Sequence, residues 1–491
     1  MREMLVRGTA APFGRAGRGS IASCGDEAAN CPGADVGLVR ATALAAVSYG
    51  QTRSTVTPFS MRWLALQVAS FETLFVLYLY SNEIKVLLPS LPMDETVLFG
   101  SLSMAVGAWI IARNGLYMTG LITVVAALAF VAFAIISSGW TPSKILLKQR
   151  LAYLVVFNMW CAIGGALIIA SSRMRTLRFL MLVLVLGTFI ATKGMQIYLT
   201  YGNFRTLDMW DELGFSRTYL NWGYTVADGA GLALVIAMFS RFLSLKQIAA
   251  AAVLLVCATF LLVGGARGPL VGLAFASMIA LAVRPPRIAA GTINISVAQL
   301  FGVFAAAALT IYVAWMLTTG EYTTTIARFV KVFEMAESED QATGASRFLY
   351  WPAAIRFWMA APIFGNGYAS FSYIYHLGSE RPGAHPHNVV LQILAELGLV
   401  GFVLFAVFVW TGLRHVTLAR LKQDPLLVAA LVYLSTAMMN SMFAKELTGG
   451  RKLFAAVALL TVPIASKADR ALRSRASAAA AVAGRGIGQD G

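Results

Sequence analysis

The sequence predicts an all-α polytopic membrane protein of about twelve spans, with one large loop between the ninth and tenth. Three observations predict it. Hydrophobic residues make up 58% of the 491 and charged residues only 13%, against roughly 45–50% and about 25% in soluble domains. Mean hydropathy is +0.71. Apolar runs of spanning length, about 17–25 residues, recur along the chain with Lys and Arg gathered between them. The net charge of +16 is scattered among those runs. That pattern suits membrane orientation and anionic headgroups better than nucleic acid. Cys24, Cys31, Cys161 and Cys257 have no ligand or disulfide spacing, so neither a metal site nor a disulfide framework is read from them.

Residues 1–61 are basic, rich in Arg, Ala, Gly and Ser, and hold no long apolar core. They read as a disordered cytoplasmic arm rather than a cleaved leader. The transmembrane domain is placed at 62–467. Its expected spans are 63–80, 96–112, 118–138, 151–171, 178–199, 225–241, 246–264, 269–284, 297–317, 388–411, 426–443 and 452–467. The run at 269–284 is short enough to be tilted or broken. The tail 468–491 is Ala-, Arg- and Gly-rich and reads as disordered.

Lys and Arg in short loops set orientation. With the N-terminus inside, the inner loops carry Arg113, then Arg173, Arg175 and Arg178, then Arg241 and Lys246, Arg284 and Arg287, and Arg414, Arg420 and Lys422. Twelve spans leave both termini cytoplasmic. Lys144, Lys148 and Arg150 disagree with this count, as do Lys445, Arg451 and Lys452 more mildly. The outer face then receives the loop near 200–224, the turn Gly264 to Pro269, and the large loop 318–387. Within that loop 322–336 and 346–361 have the composition of amphipathic helices. Pro362 should end the second, and Gly365-Asn366-Gly367 marks a turn.

The polar signal concentrates where the large loop runs into the tenth span. His385 and His387, two of only four histidines, precede Asn388, Gln392 and Glu396 at one-turn spacing. Residues four apart share a helix face, so a polar stripe enters an apolar helix. At that depth such groups are functional candidates. A neutral imidazole at His387 can take a proton from an attacking hydroxyl; a loop histidine bonded to backbone is the plainer alternative. His385 is a helper to it or a structural residue. Asn388, Gln392 and Glu396 either orient the histidine, or bind sugar hydroxyls, or pin the helix to its neighbours.

Arg267 sits in a glycine-flanked turn that allows close approach, and a guanidinium suits a diphosphate. Its plainer reading is a headgroup anchor, as is that of Arg217. Arg347 and Arg356 either bind lipid phosphates or frame a cleft. Lys193 near the end of its span adds positive charge for a phosphate group, and Glu72 and Asp228 are further charges in or near spans.

Tyr350-Trp351-Pro352-Ala353-Ala354 through Pro362-Ile363-Phe364-Gly365-Asn366-Gly367, with His387-Asn388-Val389-Val390-Leu391-Gln392 and Glu396-Leu397-Gly398-Leu399-Val400-Gly401, resembles the O-antigen ligase and polymerase-like superfamily. Gly265-Ala266-Arg267-Gly268 resembles that family's Ser-Arg-Gly turn, with alanine where serine is common. The motif-bearing resemblance covers about 215–410. It implies a GT-C-like membrane fold in the bacterial inner membrane and metal-independent, inverting glycosyl transfer at the periplasmic face. No cofactor is implied. The implied donor is a glycan on undecaprenyl diphosphate. The implied acceptor is lipid A–core for a ligase, or a growing polysaccharide (O-antigen or exopolysaccharide) for a polymerase. By the same resemblance Arg217 and Arg267 hold the diphosphate and His387 activates the acceptor. Other polysaccharide-assembly membrane proteins are possible partners. A transporter would place its polar groups in broken helices near mid-membrane, and a scaffold would tolerate loss of His387.

Overall fold

The computed structural model describes residues 70–85, 94–201, 218–240, 244–263, 267–283, 287–289, 292–294, 346–443 and 446–464. Of two compact units, Met1–Leu64 lies outside the described residues; everything below concerns the second, Ala65–Gly491. The expected arm 1–61, the span 297–317, the helix 322–336 and the tail 468–491 likewise lie outside them.

The elements in order are α1 (Phe71–Leu79), α2 (Ser81–Lys85), α3 (Glu95–Asn114), α4 (Met118–Ser137), α5 (Ile145–Ile169), α6 (Arg173–Tyr201), α7 (Thr218–Phe239), α8 (Leu245–Val263) and α9 (Arg267–Val283). A small antiparallel hairpin follows, β1 (Arg287–Ala289) and β2 (Thr292–Asn294), with Ile288 opposite Ile293. Then come α10 (Ser346–Ala360), α11 (Phe371–Tyr375), α12 (Val389–Leu413), α13 (Leu418–Gln423), α14 (Pro425–Phe443), a 3-10 turn (Leu447–Gly449) and α15 (Arg451–Leu459). Among the described residues eight helices are long and apolar enough to cross a membrane: α3 to α8, α12 and α14. The chain is therefore an integral membrane protein built on helices.

Two expected spans differ. The run at 452–467 is helical only over Arg451–Leu459. Nine residues reach about 14 Å, half of a roughly 30 Å hydrocarbon core. Every residue of α15 is buried, so its apolar composition marks the bundle interior rather than lipid. The run at 151–171 starts earlier, at Ile145, and contains two π-helical stretches, Tyr153–Asn158 and Gly164–Ile169. Such wide turns commonly mark functional helices. The short run at 269–284 is one helix, α9.

Lipid-type exposure is visible on the outer helices, where Trp109, Leu128, Val185, Leu255, Val403 and Trp410 are all exposed. Inside, small residues let backbones meet. A Cβ on Gly187 of α6 would lie 2.8 Å from the Thr225 carbonyl of α7 and 3.0 Å from Gly229 Cα. Helix direction places the site. Gly231 of α7 faces Val432 of α14, and Asp228, three residues earlier, bonds Thr436, four residues later; the two helices are antiparallel. On α9 Gly272 faces Met439 and Thr436, while Ala276 lies near Gly231, so α9 is antiparallel to α14 as well. The starts of α7 and α9 therefore lie at the same end of the bundle as the finish of α14.

Candidate active site

At that end the chain passes from α14 into Glu446 and the turn Leu447–Gly449, beside the start of α12. Asn388 caps α12: its extended backbone (φ −148°, ψ 113°) aims Oδ1 at the N–H groups of Val390 and Leu391, both at 3.0 Å. This satisfies orphan donors of the first turn. His387, just before the cap, holds φ at 54°. A non-glycine residue there is uncommon and clusters at functional sites. Its ring stacks on Tyr350 of α10, with centroids 6.3 Å apart at 21°, and lies 4.0 Å from the ring of His385. Trp351 Nε1 donates to the Pro386 carbonyl at 2.9 Å, tying this turn to α10. Burial raises the Tyr350 phenol, with Tyr375 adding to the shift, so a protonated hydroxyl stays beside the histidine.

Behind the histidines lies a charged chain. His385, 7% exposed, has Nδ1 4.0 Å from Glu446 Oε2. Glu446 Oε2 is 2.9 Å from Arg150 Nη2 on α5, and Arg150 Nη1 is 3.7 Å from Glu396 Oε1. Glu396 accepts the N–H of Ala369 at 3.1 Å and of Phe371 at 3.4 Å. Gln392 donates to Glu396 at 3.4 Å and accepts the N–H of Leu447 at 2.9 Å. The stripe Asn388, Gln392 and Glu396 thus holds three pieces of backbone: its own first turn, the turn after α14, and the loop before α11.

That loop presses on α12 backbone to backbone. Gly398 (φ 64°, ψ −163°) breaks the helix internally, and Leu399 and Val400 donate to the carbonyls of Pro362 and Ile363 at 2.9 and 3.1 Å. Gly365 (φ 71°) sits opposite; a Cβ there would lie 2.4 Å from the Glu396 carbonyl. Asn366 Nδ2 bonds the carbonyls of Phe357 and Ala395 at 2.8 and 2.9 Å. Glu380, later in the loop, accepts the N–H groups of Lys144, Ile145 and Leu146 at 2.5, 3.0 and 2.6 Å, which caps α5. Burial alone would raise its carboxyl, but the N–H groups of Leu146 and Lys144 outweigh it and hold the group below its ordinary value.

A second buried polar group lies near the start of α15. Lys452 Nζ is 3.4 Å from Glu83, 3.2 Å from Asp228 and 3.9 Å from the Tyr80 ring centroid. Tyr80 and Thr436 also bond Asp228, at 2.9 and 2.6 Å. Arg451 bonds the Tyr78 carbonyl and Ser81 Oγ at 3.0 and 3.1 Å. Glu72 is 3.8 Å from Arg175.

The expected residues are distributed unevenly. His385, His387, Asn388, Gln392 and Glu396 are brought together. Arg267 is the first residue of α9, at this end of the bundle, and the preceding residues 264–266 lie outside the described set, as does Arg217 just before α7. Gly268 packs under Tyr224, whose hydroxyl would be 2.5 Å from a Cβ, so the starts of α7 and α9 touch. Arg347 is the second residue of α10. Arg356 is exposed on that helix, and Lys193 is exposed on α6 with Nζ 3.2 Å from Gln196 Oε1. Sequence reasoning missed Arg150 and Glu446. Their signal was the pair of basic clusters that spoiled the orientation count: Arg150, Arg451 and Lys452 are 4%, 7% and 5% exposed, buried partners rather than loop charges.

Fold and site together define a polytopic membrane protein with a histidine-bearing charged site at one end of its helix bundle. Residues 250–406, about a third of the chain, match the family model described as O-antigen ligase. Two curated relatives, from Rickettsia felis and Rickettsia conorii, are each named "putative polysaccharide ligase"; both are 31% identical, over 103 and 104 residues. The alignments cover 18% and 19% of this chain and 25% of each relative. The chain thus spans about a quarter of the length of the curated relatives it matches.

Proposed function

We propose that this protein is an inverting glycosyltransferase of the ligase type. It moves a glycan from undecaprenyl diphosphate to lipid A–core or another glycan acceptor, at the periplasmic face of the bacterial inner membrane, with both termini cytoplasmic. The observation that carries the reading is that the family-matched segment contains both the Arg267 helix start and the His387–Asn388 helix start, and the antiparallel packing brings these to one end of the bundle. An acceptor hydroxyl attacks the anomeric carbon while His387 takes its proton. The bond from that carbon to the diphosphate oxygen breaks, and its electron pair leaves with undecaprenyl diphosphate. Arg267 and Arg217 hold that diphosphate as charge builds on it. The diphosphate is its own leaving group, so the two-carboxylate scheme of glycosidases is not required. Arg347 and Arg356 on α10, with Lys193, supply further positive charge around the approach of the lipid-linked donor.

The test is glycan transfer in liposomes with a native undecaprenyl-diphosphate-linked donor, comparing wild type, His387→Ala and Arg267→Ala at matched protein levels. Product on lipid A–core, lost in both variants without unfolding, supports the ligase. Chain growth with donor alone makes the protein a polysaccharide polymerase. Full activity in both variants sinks the site assignment.

A further inference from the structure

Beside the histidine pair lies a cavity of about 270 Å³, between α2, the start of α5 and the turn after α14. Its walls include Arg150, Glu446, Arg451, Asn82, Gln149 and Tyr153, with Gly383 of the large loop at one side. We infer that this cavity is a saccharide subsite, taking one or two sugar rings next to the histidines. The inference rests on the glycan-transfer reading and assigns it a place and residues that reading does not use.

Four features point to a sugar. The volume is just under the roughly 300–1,000 Å³ of pockets for drug-sized ligands, which suits a short saccharide rather than a lipid tail. The lining is rich in planar groups that donate and accept in pairs, guanidinium, carboxylate and amide, the complement of a ring of vicinal hydroxyls. Tyr153, 38% exposed, offers an aromatic surface. Finally, Arg150 Nη1 is buried with no hydrogen-bond partner among the described residues, although the side chain is only 5% exposed. A buried donor left without a hydrogen bond costs free energy, and a ligand oxygen would satisfy it once the guanidinium turns from Glu396 toward the cavity that Arg150 lines.

Charge balance argues against a phosphate here. Arg150 already faces two carboxylates, Glu446 and Glu396, and Asp94 adds a further carboxylate to the wall. Arg451 is held by the Tyr78 carbonyl and Ser81. A multiply charged anion would meet carboxylates on the same wall, whereas hydroxyls can bond both signs. Glu446 links the subsite to the chemistry, being a wall residue and 4.0 Å from His385.

The experiment uses the full-length protein in nanodiscs and a panel of methyl glycosides, neutral, N-acetylated and acidic, followed by saturation-transfer NMR, with pyrophosphate as competitor. At least one glycoside should bind, and Asn82→Ala, Gln149→Ala and Glu446→Gln should each weaken it about tenfold, the loss of one good hydrogen bond. Asn82 and Gln149 are exposed at the rim, so those variants keep the test valid if Glu446→Gln fails to fold. Binding that the variants leave unchanged, or no glycoside binding, overturns the subsite. Displacement by pyrophosphate turns it into an anion site and also overturns it. The transfer reading is scored separately: if Asn82→Ala and Gln149→Ala transfer glycan with unchanged KM for both donor and acceptor, the subsite fails while the enzyme stands. If glycosides bind as expected but wild type transfers nothing, the enzyme reading fails instead.

Discussion

The two ends of the bundle each hold an arginine against carboxylates, Arg173 partly buried and Arg150 buried, and they hold it differently. At the α6–α13 end Arg173 meets Asp424 fork to fork, at 2.6 and 2.7 Å, and gives a further hydrogen bond to the Pro463 carbonyl at 2.9 Å. At the other end Arg150 is 2.9 Å from Glu446 and 3.7 Å from Glu396, with no hydrogen-bond partner for Nη1 among the described residues. Bidentate pairing is the strong geometry for these groups. The first arginine is therefore a closed clamp joining α6, α13 and the segment after α15. The second is under-satisfied, beside a cavity and two histidines. Native proteins tolerate incomplete polar satisfaction mainly where function requires it.

The comparison can be broken at either end. The largest expected effect is on activity: His387→Ala should lower glycan transfer by about 10²–10⁴-fold, the range for a lost general base, with thermal unfolding unchanged. Next is the clamp. Asp424→Ala leaves Arg173 partly buried and uncompensated and should cost about 3 kcal/mol, read as a lower unfolding midpoint in detergent, while transfer per folded molecule holds. Equal loss of transfer in this variant would erase the distinction between the ends. Gly398→Ala comes third: its Cβ would sit 2.4 Å from the Ile363 carbonyl, at φ 64°. A cost of about 1–3 kcal/mol is expected, with transfer falling as the loop before α11 shifts.

The smallest effects sharpen the comparison through pH. Burial raises the Asp424 carboxyl, but hydrogen bonds and charge from Arg173, with the N–H groups of Leu426 and Leu427, hold it below its ordinary value. Glu380 is held low in the same sense by the start of α5. A carboxyl with a depressed folded value contributes stability that is full above its unfolded value and is lost as pH falls through the folded one. Acid should therefore weaken both ends. Glu380→Gln should remove part of the acid dependence and cost about 0.5–2 kcal/mol, as a lost helix cap does. An acid limb unchanged by this variant would remove Glu380 from the account.

Much of the bundle was legible in the sequence because lipid demands long apolar helices. Runs such as 118–138 and 426–443 became α4 and α14 with ends shifted by a residue. The start of α12 was legible for the same reason: histidines and a stripe at four-residue spacing stand out against an apolar helix. Arg150 and Glu446 were not legible as a pair. They lie in different basic or polar junctions, and only the packing of α5 against the turn after α14 joins them. Composition also cannot separate a lipid-facing run from one facing other helices, which is why α15 read as a span. The saddle between Gly365 and Gly398 was visible as glycines, but its backbone contact was not.

The wide turns of α5 bear on chain length as well as shape. Each π-helical stretch accommodates one residue more than α-helical winding would. Deleting one residue within Tyr153–Asn158 would let that stretch rewind as ordinary α-helix with its two flanks kept in register, whereas a deletion in the α-helical stretch Met159–Ile163 would turn everything before it by about 100° relative to the helix beyond. Only the second deletion would swing Arg150 away from Glu446, while in both the apolar length still spans the bilayer. Tolerance of single-residue deletions along this helix thus reports whether the guanidinium's direction, rather than the helix itself, is what the site requires.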